Sequence, residues 1–130
     1  MSSPKTFNIY KVWFTQPGDL PDHVALAFVD AANEGQDEGI CCHAVGSHQE
    51  GWSYKVMTYR FEDSQRYSRK ENQNLQMPAG LLERAKQLCR EVELPRLGDD
   101  RDCRHWADDL LWKVQLLVGR YEMGLETLEQ

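Results

Sequence analysis

The chain has 130 residues, a formal charge of −6 and 41% hydrophobic residues, which suits one domain with its own core. The acidic balance argues against a dedicated nucleic-acid-binding protein, because phosphate contacts need clustered lysine and arginine side chains. No apolar run approaches the roughly 20 residues that cross a bilayer, and the polar N-terminus lacks a signal-peptide core. These features predict a single soluble domain, residues 1–130, in the cytoplasm, with no nucleic-acid partner and no integral membrane segment.

The cysteines are expected to be free thiols, since disulfides are rare in a reducing compartment. The chain has four of them: Cys41, Cys42, Cys89 and Cys103. Adjacent residues of a strand point to opposite faces, so Cys41 and Cys42 are poor disulfide partners for each other. The same two cysteines lie near His43 and His48 in sequence, but no CxxC pair or helical HxxxH pair is present. We therefore expect neither a metal site nor a cofactor.

The first half of the chain alternates between strand-like segments and short turns. Segments rich in β-branched and aromatic residues predict strands at Thr6–Thr15, His23–Asp30, Ile40–Gly46 and Trp52–Phe61. Frequent alanines leave a helix over Val24–Asn33 as an alternative to the second strand. Short turns between neighbouring strands indicate an antiparallel arrangement. The polar segment Glu62–Met77 is predicted to be an irregular connection that could close over a site as a lid.

The second half predicts two helices. Pro78 begins the first, whose apolar residues recur at helical spacing as far as Val92. Asp102 is a suitable N-cap for the second, Cys103–Val118, and Gly119 is its predicted C-cap. The expected fold class is α+β, with an antiparallel sheet of four to five strands packed against two main helices.

Cys103 is the first candidate for chemistry. It follows a predicted N-cap, where free backbone N–H groups and the positive end of the helix dipole favour an anion. The thiolate is the reactive form of cysteine, so this position favours a nucleophile. Helical spacing puts Cys103 on one face with Trp106 and Leu110, so its side chain is expected to point at the sheet. The alternative is a structural cysteine on a stripe that faces the core.

A thiolate nucleophile needs a base and a group that orients the base. His23 opens one predicted strand and His43 lies in the next, so both imidazoles can share one face of the sheet. If the helix that carries Cys103 packs on that face, a Cys-His-His site results, with either histidine as the base. The alternative for each is a half-buried histidine with structural hydrogen bonds. His48, in a turn, and His105, on the helix, are predicted to be exposed.

The order of these segments resembles the circularly permuted papain-like superfamily, in particular the branch that contains lecithin:retinol acyltransferase and small phospholipase/acyltransferases. That branch has an H-W-A-L-type strand, a second histidine one strand later and an N-C-E-H-F segment. The corresponding segments here are His23–Leu26, which reads HVAL, and Asp102–Trp106, which reads DCRHW. Small fungal proteins with an N-C-Q-x-W-type helix are also similar. The resemblance implies a permuted papain-like fold, with Cys103 as nucleophile, His23 as general base and His43 as the orienting residue.

Three departures from the family pattern bear on this interpretation. Asp102 stands where the family has asparagine, and its negative charge would oppose thiolate formation. Val24 replaces an aromatic residue. The residues after Val118 are polar and acidic and do not form the membrane-anchoring tail of the acyltransferases, so the resemblance does not carry over a lipid substrate.

These residues lead to alternative functional hypotheses. The first is an enzyme, a hydrolase or acyltransferase, that cleaves an acyl, amide or ester bond of a small-molecule or peptide substrate through a thioester. The second is a non-catalytic or repurposed papain-like domain that binds a small molecule or a protein partner. The third is a biosynthetic tailoring enzyme for a natural product that uses the same cleft. An imidazole close to the Cys103 sulfur in an open cleft would favour an enzyme, whereas a sealed thiol would favour binding.

Overall fold

The structure, a computed structural model, describes residues 5–18, 22–32, 38–47, 49–96 and 101–128. Its elements are β1 (Thr6–Phe14), β2 (His23–Asp30), β3 (Glu38–Ser47), β4 (Gly51–Arg60), β5 (Tyr67–Pro78), α1 (Leu82–Glu91) and α2 (Cys103–Glu122). The strands form one antiparallel sheet in the order β4-β3-β2-β1-β5. The predicted α+β class, with a sheet of up to five antiparallel strands and two helices, is confirmed.

The segment that opens with His23 is a strand, so the helical alternative for this region is wrong over its described part. β2 pairs with β1 along its whole length and with β3 on its other side. Its residues from Val24 to Val29 are all buried. A short run that is apolar at every position suits a strand covered on both faces, and this burial outweighs the helix propensity of its alanines.

The segment predicted as an irregular lid is also regular structure. Phe61–Asp63 forms one 3-10 turn, and β5 then pairs with β1 at the edge of the sheet. Most side chains of β5 are exposed or half-buried. An edge strand forms backbone hydrogen bonds to one neighbour, and most of its side chains contact water. Its sequence can therefore be as polar as that of a loop, which is why a loop was predicted here. The prediction of a lid over Glu62–Met77 is therefore wrong.

Both helices differ from their predicted limits at one end. Pro78 ends β5 and does not begin a helix; α1 begins at Leu82, after a 3-10 turn at Ala79–Leu81. α2 begins at Cys103 as predicted, but it continues through Gly119 and ends at Glu122. An internal glycine destabilises a helix by only about 1 kcal/mol. The favourable residues that follow therefore extend α2 by one turn beyond the predicted C-cap.

Each face of the sheet carries its own hydrophobic cluster. On the helix face, side chains of the central strands pack with α1 and α2, among them Leu26, Phe28, Cys42 and Ala44. On the second face, a smaller cluster contains Ala25, Ala27, Val29, Cys41 and Phe61. Cys41 and Cys42 thus point to opposite faces, as predicted, and all four cysteines are free thiols. Neither helix of the described ranges has the length and apolar character needed to cross a membrane.

Candidate active site

Cys103 is the first residue of α2 and lies on the helix face of the sheet. It packs in the same cluster as Trp106 and Leu110, so the expected orientation toward the sheet is confirmed. Only 4% of the residue is exposed to solvent. The sulfur is therefore a buried thiol and not a surface thiol.

The residues around Cys103 form a complete N-cap. The Asp102 side chain accepts from the Arg104 N–H at 2.9 Å, and His105 Nδ1 accepts from the Asp102 N–H at 3.0 Å. This is a capping box, with a histidine in the place of the usual Glu or Gln. The His105 side chain is 42% exposed, yet it has a structural role at the helix start that its sequence position did not reveal.

Arg104 forms an ion pair with Asp102, whose negative charge was expected to oppose thiolate formation. Its guanidinium binds both carboxylate oxygens of Asp102, with Nε at 3.1 and 3.0 Å and Nη2 at 2.7 Å. The Asp102 charge raises the pKa of Cys103, and the Arg104 charge lowers it. The two charges therefore act in opposite directions at the thiol. An arginine two residues after an acidic N-cap is the sequence signal that could have predicted this pair.

Burial dominates the ionisation of Cys103. Desolvation raises the pKa of the thiol, and the Val24 backbone N–H and the N–H of Cys103 itself lower it only in part. The helix N-terminus does act on the sulfur in the expected direction, but it does not overcome burial. At neutral pH the thiol is protonated, so nucleophilic attack by this sulfur requires a base.

The two candidate bases contact each other directly. His23 Nε2 and His43 Nδ1 are 2.6 Å apart, a hydrogen bond between the two imidazoles. The described ladder between β2 and β3 runs only through the pairs from Leu26–Cys42 to Phe28–Ile40, and both histidines lie beyond its end. The imidazole pair therefore joins the two strands where their backbones are no longer hydrogen-bonded. The expectation that adjacent strands bring these rings together is confirmed.

Both imidazoles are neutral at pH 7. Burial lowers the pKa of His23. Burial, the neighbouring His23 and the charge of Lys55, which lies opposite on β4, lower the pKa of His43 to about 4. One ring of a neutral pair donates and the other accepts. If His23 donates from Nε2, its Nδ1 keeps a free lone pair and His43 carries its hydrogen on Nε2.

The imidazoles and the thiol belong to different faces of the sheet. His23 alternates with Ala25, and His43 with Cys41, so both point to the second face, where His23 contacts the Phe14 ring. The expectation that α2 packs on the face of the imidazoles is therefore wrong. Within the described residues, no hydrogen bond links Cys103 Sγ to either ring. The sulfur instead lies against the backbone of the residue that follows His23.

A cavity of about 290 Å³ lies beside the imidazole pair. Its walls are formed by Phe14, Thr15, Gln16, His23, His43, Val45, Gly46, Tyr59, Ser64 and Arg66. The wall does not include Cys103, and Arg66 is its one permanently charged described residue. His43 Nε2 is buried without a hydrogen-bond partner in the described structure. Arg66 was absent from the sequence-based candidates because its segment was taken for a loop.

His48 lies outside the described residues. Among the residues that are described, no three His, Cys, Asp or Glu side chains are grouped as metal ligands would be.

Comparison with known proteins identifies a family but no characterised relative. No curated protein and no solved structure matches the chain. A family model described as a family of unknown function matches residues 9–116, which run from β1 to near the end of α2 and include both histidines and Cys103. The chain belongs to this family of unknown function, DUF6540.

Proposed function

We propose that the chain is a thiol-dependent enzyme, a hydrolase or acyltransferase, that acts on an acyl, amide or ester bond. Cys103 is the nucleophile, His23 the general base and His43 the residue that orients the base. One observation supports the proposal: the Cys103 sulfur lies against the backbone N–H of Val24, the residue after His23, and His23 is hydrogen-bonded to His43 at 2.6 Å on the other face of the sheet. A nucleophile, a base and an orienting group are the three parts that thiol catalysis needs.

The hydrogen bond between the imidazoles limits which ring nitrogen of His23 can act as the base. His43 Nδ1 occupies His23 Nε2, so His23 Nδ1 is the nitrogen that receives the thiol proton. The low pKa of His43 keeps that ring neutral, and a neutral ring accepts the hydrogen bond of protonated His23 without adding charge. The sulfur and His23 are not hydrogen-bonded in the free protein. Because the imidazoles and the thiol lie on opposite faces of the sheet, proton transfer requires His23, the first residue of β2, to turn toward α2 when substrate binds.

The proposed reaction proceeds in two halves. Cys103 Sγ attacks the carbonyl carbon of the acyl donor while its proton passes to His23 Nδ1. The bond from the carbonyl carbon to the leaving group then breaks, the leaving group takes the proton from His23, and a thioester remains. Water or an acceptor attacks the thioester and gives a proton to His23, which returns it to the departing sulfur. A biosynthetic tailoring enzyme in the cytoplasm would use the same two halves with its own acceptor.

The test uses p-nitrophenyl acetate as a generic acyl donor and intact mass spectrometry to detect the acetylated protein. We expect one acetyl group on Cys103 in the wild type and none in the Cys103→Ala variant. The Cys89→Ala variant, which removes another buried thiol, should be acetylated as the wild type is. The His23→Ala variant should react about 100-fold more slowly, the lower range for loss of a general base.

A second candidate function is a non-catalytic domain that binds a small molecule or a partner. The observation that favours it is that the cavity beside the histidines lacks Cys103, whose thiol is buried and protonated. The acylation experiment separates the two functions. If folded wild-type protein is acetylated on Cys103 no faster than the urea-denatured chain, the thiol is silent and the binding function is the better account.

A further inference from the structure

The cavity on the second face offers hydrogen-bond donors and a positive charge to whatever occupies it. Arg66 stands at its wall with an exposed side chain, and none of the described residues forms an ion pair with it. Its backbone is held in place, since its N–H donates to Ser64 Oγ at 3.2 Å and its carbonyl oxygen accepts from the Thr15 N–H at 2.7 Å. These contacts hold the backbone of Arg66 at the cavity wall and leave its exposed guanidinium able to turn toward a ligand.

His43 provides a second donor that the fold leaves without a partner. Its Nδ1 bonds to His23, and its Nε2 is buried and makes no hydrogen bond in the described structure. Because the ring is neutral and accepts at Nδ1 in the arrangement that frees His23 as a base, Nε2 carries a hydrogen. A buried N–H without an acceptor destabilises the protein unless a ligand or water supplies one. The Ser64 hydroxyl, which accepts from Arg66, keeps its own hydrogen for a further acceptor.

We propose that this cavity binds a small molecule through a carboxylate group. The carboxylate would accept hydrogen bonds from the Arg66 guanidinium and the Ser64 hydroxyl, which line the cavity, and a shift of the His43 ring would bring its buried Nε2–H to the same carboxylate. The apolar part of the ligand would rest against Phe14 and Val45, which line the same cavity. The donor role of His43 rests on the imidazole tautomer of the proposed function, but binding at the cavity does not require Cys103 to react.

A carboxylate fits this cavity better than a phosphate monoester does. The described wall has one permanent positive charge, Arg66, because both histidines are neutral at pH 7. A carboxylate brings one negative charge, whereas a phosphate monoester brings about −1.5 to −2 at that pH. Binding of the phosphate would leave uncompensated negative charge beside buried imidazoles.

The test compares three probes of similar shape and different charge: benzoate, benzamide and phenyl phosphate. Each is titrated into the full chain at pH 7.5 while NMR follows the ring signals of His43. We expect benzoate to shift these signals in a saturable way and to bind about tenfold more tightly than benzamide, as one charge-assisted hydrogen bond would produce. Phenyl phosphate should bind more weakly than benzoate.

Two variants locate the effect. Arg66→Gln should remove the tenfold preference for benzoate over benzamide. The protein should remain folded, as judged from its backbone NMR spectrum, because the structural contacts of Arg66 are made by its backbone. Arg60→Gln, which removes an arginine paired with Asp63 outside the cavity, should keep the preference. Equal binding of benzoate and benzamide, or an unchanged preference in Arg66→Gln, would overturn the proposal. Tighter binding of phenyl phosphate would replace the carboxylate by a phosphate as the ligand group.

Discussion

At the scale of single residues, His43 should make the stability of the protein depend on pH. Its pKa is about 4 in the folded protein, against about 6.5 in the unfolded chain. Between these two values the unfolded chain binds a proton that the folded protein does not, so stability is full above pH 6.5 and falls as the pH drops toward 4. Between pH 6.5 and pH 4 this proton uptake should lower the free energy of unfolding by on the order of 3 kcal/mol. His23 acts in the same direction.

The measurement is urea denaturation of the wild type and of His43→Gln at pH 7 and pH 5. The wild type should lose about 2 kcal/mol more than the variant between these two values, because glutamine does not titrate. Carboxylates titrate alike in both proteins and cancel in the difference. If both proteins lose the same stability, His43 is not held neutral by its surroundings.

The sequence predicted that the two histidines meet, but it did not predict how they are arranged relative to Cys103. Alternation along two strands was enough to predict that His23 and His43 meet, because residues two apart share a face. Alternation does not determine which face the helices cover, so the relation of the pair to Cys103 was predicted wrongly. Nor does it reveal Arg104, whose effect on the Asp102 charge depends on side-chain geometry at the helix start.

At the scale of elements, the start of α2 should control the reactivity of Cys103. The Asp102 charge raises the pKa of the thiol and the Arg104 charge lowers it. Asp102→Asn keeps a good N-cap and removes the negative charge, so it should lower the thiol pKa and change stability by less than about 1 kcal/mol. Arg104→Ala leaves the Asp102 charge unopposed and should raise the thiol pKa.

The pH dependence of the iodoacetamide reaction at Cys103, followed by peptide mass spectrometry, measures both shifts. The rate profile of Asp102→Asn should move to lower pH than that of the wild type, and the profile of Arg104→Ala to higher pH. Asp102→Ala serves as the control for the cap, since it removes the charge together with the cap and should destabilise the protein by about 1 kcal/mol. Profiles that coincide for all variants would show that burial alone sets the thiol pKa.

Elements with a clear hydrophobic period were predicted closely, and the polar edge strand β5 was not. β2 was predicted with its observed limits because every position from Val24 to Val29 is apolar and buried. β5 was missed because most of its side chains contact water and are polar, as in a loop. Its backbone hydrogen bonds to β1 do not depend on residue type, so the sequence does not show them. The extension of α2 through Gly119 was missed because a glycine near a helix end is a common stop signal, although its energetic penalty is small.

At the scale of the whole molecule, the two faces of the sheet should unfold together. β1 and β2 contribute buried side chains to both clusters, so neither cluster can lose its packing while the shared strands remain intact. Phe61 is fully buried on the second face and Leu110 is fully buried on the helix face. Replacement of either by alanine should lower the free energy of unfolding by about 3 kcal/mol, through lost burial and the cavity left behind.

Urea denaturation followed by tryptophan fluorescence and by far-ultraviolet circular dichroism tests this coupling. Fluorescence reports on Trp106 in the helix-face cluster, among other tryptophans, whereas circular dichroism reports on the backbone of all elements. In Phe61→Ala and in Leu110→Ala the two signals should share one midpoint, lower than that of the wild type. Leu116→Ala, at a position of α2 that is 48% exposed, should change stability by less than about 0.5 kcal/mol. Separate midpoints in Phe61→Ala would mean that the second face, with its cavity and its histidine pair, unfolds independently of the helices.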